Sequence, residues 1–152
     1  MHSRMLLKPA ALGLLAAICS AGAGLAQQQS LDGVYRGTLV CEHLSGAVGI
    51  LRAPLDITVT NGTVIAARPV FNFDGSRVVG SEIAIGAVGD GALHLTSTWL
   101  AIGAGFKGTY TGTLTMTGGT ITGTQAWTRP PVKGGDASRA CYGAFVKIRK
   151  PE

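Results

Sequence analysis

The chain of 152 residues offers few side chains for acid–base or nucleophilic chemistry. Glu42 and His43 are adjacent in "CEHLSG", and an imidazole near a carboxylate is a common general base. His94 alternates with Leu93 and Leu95, so we expect it to face outward. No serine lies in a Gly-x-Ser-x-Gly motif, which would expose a nucleophile on a sharp turn. We therefore predict that the protein is not an enzyme.

A glycine motif and a pair of cysteines also fail to indicate a cofactor. The run Gly103–Gly108, "GAGFKG", has Gly-x-Gly-x-x-Gly spacing, but that motif binds a pyrophosphate only where a helix follows it. Here Thr109–Thr111 continue as a predicted strand. Cys41 and Cys141 have no His or Asp at ligand spacing, which makes a zinc site unfavourable. We expect neither cofactor nor metal.

The residues best suited to contact a ligand are aromatic and polar side chains that strand alternation places on the apolar face. Arg68 and Gln125 occupy equivalent places in two similar hairpins, "ITVTNGTV" and "LTMTGGTI" with their continuations. A buried Arg or Gln needs partners, since an unpaired buried polar group costs about 1–3 kcal/mol. Either tyrosine hydroxyls or water satisfy these groups, or they orient a ligand in a cavity. The predicted ligand-contacting residues are Tyr35, Arg68, Trp99, Tyr110, Gln125 and Trp127.

Strands rather than helices must position these residues, because apolar side chains recur with period two along the chain. Turn signals occur at Asn61-Gly62, at or near Asp90-Gly91 and at Gly118-Gly119. The predicted strands are 32–41, 53–60, 63–72, 77–88, 92–100, 105–117, 120–128 and 139–149. Eight consecutive antiparallel strands favour an all-β up-and-down barrel, with a β-sandwich as the alternative.

The hairpin from Gly108 to Trp127 carries threonine at nearly every second position. With Gly118-Gly119 as a two-residue loop, Met116 lies opposite Ile121, and Tyr110 lies opposite Trp127. These apolar residues then face inward, and the threonines form the solvated outer face.

The first 26 residues have the layout of a cleaved secretory signal peptide. Arg4 and Lys8 precede the apolar run Ala10–Cys19, which is too short to span a bilayer. Small residues follow, and we predict cleavage after Ala26, with Ala23 as a second possibility. We predict no transmembrane segment and a periplasmic or secreted protein.

Residues 27–152 are predicted to form one domain. Cys41 and Cys141 are an even pair in an exported chain, which indicates a disulfide. Loss of Arg4 and Lys8 lowers the formal net charge from +5 to +3 (5 − 2 = 3). Because no basic stripe is interleaved with aromatic residues, we expect no nucleic-acid partner.

A small exported chain with eight strands, a "GDGAL" hairpin and tyrosine- and tryptophan-bearing strands resembles the avidin-like and lipocalin-like barrels. The resemblance is one of layout over 27–152, and it implies a ligand-binding barrel. No run matches the biotin-contacting residues of avidins. "GVY", Gly33–Tyr35, stands where a lipocalin Gly-x-Trp would be sought. No functional residue is therefore transferred from either family.

Two functions follow from these observations. The first is a non-catalytic binding protein for a small, partly apolar ligand. The alternative is a protein-interaction module, such as an envelope component or an inhibitor of a secreted enzyme. That module would use the predicted loops "EHLSGAVGILR", 42–52, or "RPPVKGGDAS", 129–138.

Overall fold

The protein is a closed antiparallel barrel of eight strands in chain order, with the last strand paired to the first. The computed structural model describes residues 31–44, 49–72, 75–101, 104–128 and 135–148. The strands are β1 Gly33–Cys41, β2 Leu51–Thr60, β3 Thr63–Phe71, β4 Val78–Gly89, β5 Ala92–Ala101, β6 Ala104–Leu114, β7 Gly118–Trp127 and β8 Ser138–Lys147. The predicted up-and-down barrel is confirmed, in preference to a sandwich. The predicted signal peptide, 1–26, lies outside the described residues.

Alternation of side chains defines the barrel wall. In β2, Ala53, Leu55, Ile57 and Val59 are buried and the residues between them are exposed. Such a strand has one apolar face, so it is stable only when that face packs against other strands. The same pattern in the other strands produces a single interior.

Two of the three predicted turns have the expected backbone. Asn61 and Gly62 have φ angles of 50° and 76°, and Asp90 and Gly91 have φ angles of 52° and 76°. Positive φ at both central residues is what a two-residue type I′ hairpin requires, and Asn-Gly and Asp-Gly adopt it readily.

The third predicted turn is wrong. The loop between β6 and β7 is 115–117, and Gly118 already begins β7. The predicted partner of Tyr110 is Trp127, whereas its partner in the structure is Gly123, so the register differs by four residues. Met116, predicted to face inward, lies in the turn and is 61% exposed. Because four is an even number, the inward and outward faces of both strands are otherwise retained.

Close packing explains why the two glycines belong to the strand. A Cβ on Gly119 would lie 2.0 Å from the carbonyl oxygen of Thr113 and 2.8 Å from the Phe145 ring. The turn itself is held by Thr115, whose backbone N–H donates to the Gly118 carbonyl oxygen at 2.7 Å. The Gly118 N–H in turn donates to Thr115 Oγ1 at 3.2 Å.

The two ends of the barrel differ. One end, called the hairpin end, carries the tight connections 61–62, 90–91 and 115–117. The opposite end, called the loop end, carries the longer connections 42–50, 72–77 and 128–137, together with the short connection 102–103. Ligand sites of small barrels lie in their mouths, and tight turns occupy the hairpin end, so we expect a ligand site at the loop end.

Cys41 and Cys141 form the predicted disulfide, which joins β1 to β8 near the loop end. The two residues are directly opposed in the ladder and are separated by 100 residues in sequence. A cross-link over a loop of that length stabilises a fold by about 4–5 kcal/mol in the chain-entropy account. It therefore secures the pairing of the first and last strands, which are the most distant in sequence.

Two ladders are incomplete toward the loop end. The pairing of β4 with β5 runs only from Gly89–Ala92 to Ile83–Thr98. The pairing of β2 with β3 runs from Thr60–Thr63 to Asp56–Ala67, and the loop-end half of β2 has no ladder partner in β3. Pro54 and Pro69 lie within the unpaired parts of β2 and β3. Proline cannot donate a ladder hydrogen bond and is found at strand edges. Among the described residues, no helix is long and apolar enough to cross a membrane.

Candidate functional site

The six predicted ligand-contacting residues separate into two groups. Tyr35 lies at the hairpin end, where its hydroxyl donates to the carbonyl oxygen of Leu31 at 2.6 Å and its ring meets Phe145 edge-on. The other five lie toward the loop end. Arg68, Tyr110 and Gln125 join one hydrogen-bond network, whereas both tryptophans join an aromatic cluster.

Glu82 on β4 is the centre of the network. It is 2% exposed. Its Oε1 accepts hydrogen bonds from the hydroxyls of Ser97 and Tyr110, the latter at 2.7 Å. Its Oε2 accepts from Arg68 Nε and from Gln125 Nε2, the latter at 3.0 Å. An ionised carboxylate has about four acceptor sites, so these four donors saturate Glu82.

Arg139 on β8 extends the network across the interior. Its Nε donates to Gln125 Oε1 at 2.9 Å. The Gln125 amide nitrogen faces Glu82 and also donates to the Tyr110 oxygen at 3.0 Å. The network fixes the amide orientation, because the flipped amide would place its oxygen against the Glu82 carboxylate. We call the six buried residues the polar layer: Arg68, Glu82, Ser97, Tyr110, Gln125 and Arg139.

The polar layer carries an excess of positive charge. Arg68 and Arg139 contribute two formal positive charges and Glu82 contributes one negative charge, which leaves +1. Burial, and then the positive charge of Arg68, lower the pKa of Arg139 to about 10. Arg139 therefore remains protonated at neutral pH. Burial, and then the negative charge of Glu82, raise the pKa of the Tyr110 phenol, so that it serves as a neutral donor.

The aromatic cluster consists of Trp99, Phe106 and Trp127, packed with Val70. Ring centroids are 5.5 Å apart for Trp99 and Phe106, 5.0 Å for Phe106 and Trp127, and 6.2 Å for the two tryptophans. Phe106 also lies 5.7 Å from the guanidinium carbon of Arg68, within cation–π range. The cluster is separate from the main apolar core, and it contains both tryptophans of the chain.

Three buried donors in this region lack a hydrogen-bond partner within the described ranges: Arg68 Nη2, Arg139 Nη1 and Trp127 Nε1. All three are N–H groups. Native proteins pair the large majority of their buried polar atoms, so each exception calls for an explanation.

The middle of the barrel is filled by side chains. An interior cavity of about 10 Å³ lies against the polar layer, which is room for one water molecule at most. Its lining includes Arg68, Glu82 and Tyr110 of the polar layer and apolar side chains such as Leu39 and Leu95. The inward glycines do not leave space, because a Cβ on Gly112 would lie 2.0 Å from the Thr120 carbonyl oxygen and one on Gly123 would lie 2.5 Å from the Tyr110 ring. These inward glycines therefore allow close contact between strands and do not enlarge the interior.

Three members of the polar layer were missed by sequence reasoning. Ser97 lies on the same face of β5 as Leu95 and Trp99, so strand alternation alone would have identified it as an inward residue. Arg139 shares the parity of Cys141 in the same way. The pattern of β4 did not predict that Glu82 faces inward, because Ile83 and Ile85 on the opposite face are more apolar than the residues on the face of Glu82. Ile83 and Ile85 nevertheless face outward and are exposed.

The acid–base candidates lie elsewhere. Glu42 and His43 border a surface depression of about 320 Å³, together with Val40, Ile50 and Tyr142. No hydrogen bond joins Glu42 to His43 in the part of the chain that the structure describes. His94 faces outward, as its alternation predicts.

The alternative interaction loops are described only in part. Residues 45–48 of the first loop and 129–134 of the second lie outside the described ranges. No family model, curated protein or solved structure matches this chain. Small barrels serve many functions, so the polar layer and the aromatic cluster are the features of this barrel that bear on its function.

Proposed function

We propose that the protein is an exported, non-catalytic binding protein that holds a small, partly apolar molecule at the loop end of the barrel. One observation carries the proposal. An aromatic cluster lies at the loop end, separated from the main core by a buried and charged polar layer. Mouths of small barrels that combine apolar walls with a few fixed polar groups are typical ligand sites.

The energetics of the polar layer support a functional role. A buried ion pair such as Arg68–Glu82 contributes little net stability, because the loss of solvation offsets the attraction between its charges. Apolar side chains of similar volume would fill the same interior without that loss. Strongly perturbed titratable groups such as Arg139 and Tyr110 are enriched at functional sites.

The aromatic cluster supplies the apolar contact. Trp127 is partly exposed at the loop end, and its ring packs on Phe106 and Trp99. An aromatic pair contributes about 0.5–1.5 kcal/mol beyond the area it buries. The proposed site therefore keeps five predicted residues and adds Glu82, Phe106 and Arg139, whereas Tyr35 belongs to the opposite end.

Two further considerations support export and binding. A disulfide suits an oxidising compartment, which agrees with a periplasmic or secreted protein. The resemblance in layout to avidin-like and lipocalin-like barrels supports a binding role by analogy.

Native mass spectrometry of the protein purified from its own envelope tests the proposal. We expect a co-purifying small molecule that is lost on denaturation. Trp127→Ala should lower its occupancy by roughly tenfold through the lost stacking and apolar contact. The matched control is Tyr142→Ala, which removes a half-exposed aromatic residue from the outer face.

Equal occupancy in both variants would contradict a site at the aromatic cluster. A protein partner in place of a small molecule would favour the interaction module instead.

A further inference from the structure

We propose that the ligand presents an anionic group, such as a carboxylate, phosphate or sulfate, to the unpaired N–H donors of Arg68, Arg139 and Trp127. This inference rests on the proposed function, but it makes a separate claim about the chemistry of the ligand.

Two buried arginines and a tryptophan carry N–H groups without partners. Arg68 is 4% exposed and Arg139 is 8% exposed, yet each guanidinium keeps a buried nitrogen that has no partner within the described residues. Trp127 Nε1 is a third buried donor in the same state. Every unpaired buried side-chain atom found in the described ranges is thus a donor, so the missing partner must be an acceptor.

No acceptor of the polar layer lies within hydrogen-bond reach of the three free donors. Both Glu82 oxygens already accept two hydrogen bonds each. Gln125 Oε1 accepts from Arg139, and Arg68 Nη1 donates to the Pro69 carbonyl oxygen at 3.2 Å. A free donor that turned to Glu82 would displace one of the four donors already bound there.

The net positive charge of the polar layer favours an anionic acceptor over a neutral one. A water molecule or an amide oxygen would satisfy the hydrogen bonds but would leave the formal charge of +1. A monoanion satisfies both, and guanidinium groups bind carboxylate and phosphate oxygens with favourable geometry. A cationic ligand is excluded from this position, because the carboxylate of Glu82 is saturated.

The neighbouring rings define the remainder of the molecule. Phe106 lies against both Arg68 and Trp127. A ligand anchored at the guanidinium groups would therefore lay an apolar body beside the aromatic cluster. The inferred class is an amphiphilic anion, with an aromatic or aliphatic body and one acidic end.

Three probes test the claim on the full chain with its disulfide intact. Phenylacetate and phenylacetamide share a ring and differ in charge, whereas sulfate carries charge without an apolar body. Binding is followed by tryptophan fluorescence, since both tryptophans lie in the cluster, and by the thermal midpoint at constant ionic strength. We expect phenylacetate to bind about tenfold more tightly than phenylacetamide, because charge-assisted hydrogen bonds are the stronger kind. We expect sulfate to raise the midpoint.

Arg139→Gln and Arg36→Gln are matched variants. Each removes one positive charge, but Arg36 is an outer-face residue with a side chain 70% exposed, paired to Asp56. Arg139→Gln should abolish both the preference for phenylacetate and the effect of sulfate, and Arg36→Gln should keep both. Arg139→Lys retains the charge and should restore part of the preference, which also serves if Arg139→Gln does not fold.

The outcomes are distinct. Equal binding of phenylacetate and phenylacetamide by the unmodified protein overturns the anion claim and leaves the proposed function standing. An Arg139-dependent effect of sulfate with no binding of either organic probe supports the anion site and counts against the apolar ligand. A sulfate effect that is the same in all variants, or no response to any probe, overturns the anion claim.

Discussion

Replacement of Glu82 by Gln tests whether the polar layer is organised around one negative charge. The substitution changes little in volume, but it raises the formal charge of the layer from +1 to +2. The amide can keep its oxygen toward Arg68 and turn its nitrogen toward Ser97 and Tyr110, whose hydroxyls can accept. The loss is therefore mainly that of the counter-charge for Arg68 and Arg139.

The expected loss of stability follows from the burial of the Arg68–Glu82 ion pair. Removal of one partner from a buried ion pair costs about 3–5 kcal/mol, because the remaining charge has neither water nor a counter-ion. A domain of this size has a free energy of unfolding of about 5–15 kcal/mol. Glu82→Gln should therefore remove a large share of it and lower the thermal midpoint by on the order of 10–20 °C.

The assay is guanidinium unfolding at pH 7 followed by tryptophan fluorescence, with the disulfide oxidised. The midpoint should fall while the denaturant slope stays constant, since the fold and its buried area are retained. Glu42→Gln, at an exposed position, is the matched control and should change the free energy of unfolding by less than about 0.5 kcal/mol.

A double-mutant cycle with Arg68→Met sharpens the test. The double variant should be destabilised by less than the sum of the two single variants, because Arg68 and Glu82 are in direct contact. If Glu82→Gln proved as stable as Glu42→Gln, or if the cycle were additive, the account of a charge-organised layer would be refuted.

Three further predictions concern the disulfide, the register of β6 and β7, and the buried tyrosine of the polar layer. Replacing Cys41 and Cys141 with Ser should lower the free energy of unfolding by about 4–5 kcal/mol in urea titrations, and a change below about 1 kcal/mol would contradict the loop-closure reasoning. Gly119→Ala should destabilise by about 1–3 kcal/mol through a clash with backbone, whereas Gly49→Ala, with open space around its Cβ position, should be near neutral. Equal effects of the two would refute the register of β6 and β7. The pKa of Tyr110 is raised in the fold, so on raising the pH the unfolded chain loses the phenol proton before the folded chain does. The contribution of Tyr110 to the free energy of unfolding is therefore full below about pH 10 and declines above it. Tyr110→Phe should flatten this alkaline decline, and an unchanged slope would count against a buried neutral phenol.

The barrel itself could be predicted because local signals and long-range pairing agree. In β2 and β3 one face is apolar, so parity alone assigns the inward residues, Arg68 included. Asn61-Gly62 specifies its turn because both residues accept positive φ. Gly118-Gly119 was assigned to a turn, but glycine also occurs where neighbouring strands come too close for a Cβ. The sequence alone does not distinguish a glycine needed for a turn from one needed for close packing.

The candidate site could be predicted only in part. Arg68 and Gln125 were identified as inward polar residues in need of partners, and Tyr110 was among the expected tyrosine hydroxyls. Glu82 lies opposite Arg68 in the β3–β4 ladder and Arg139 lies opposite Gln125 in the β7–β8 ladder. The bonds from Tyr110 and Gln125 to Glu82 cross the interior and form only once the barrel closes. The contacts of the polar layer depend on the register of six strands together, which local patterns do not determine.

The incomplete ladder between β2 and β3 has a consequence for access to the site. Toward the loop end, β3 to β8 are tied together by the polar layer, and β8 is bonded to β1 by the disulfide. Leu51–Leu55 and 68–71 face one another without ladder pairs, so separating them breaks no backbone hydrogen bond between β2 and β3. The unpaired stretch between β4 and β5 is spanned by the hydrogen bond from Ser97 to Glu82. No side-chain hydrogen bond spans the stretch between β2 and β3 among the described residues, so we expect it to separate first if a ligand enters from the side.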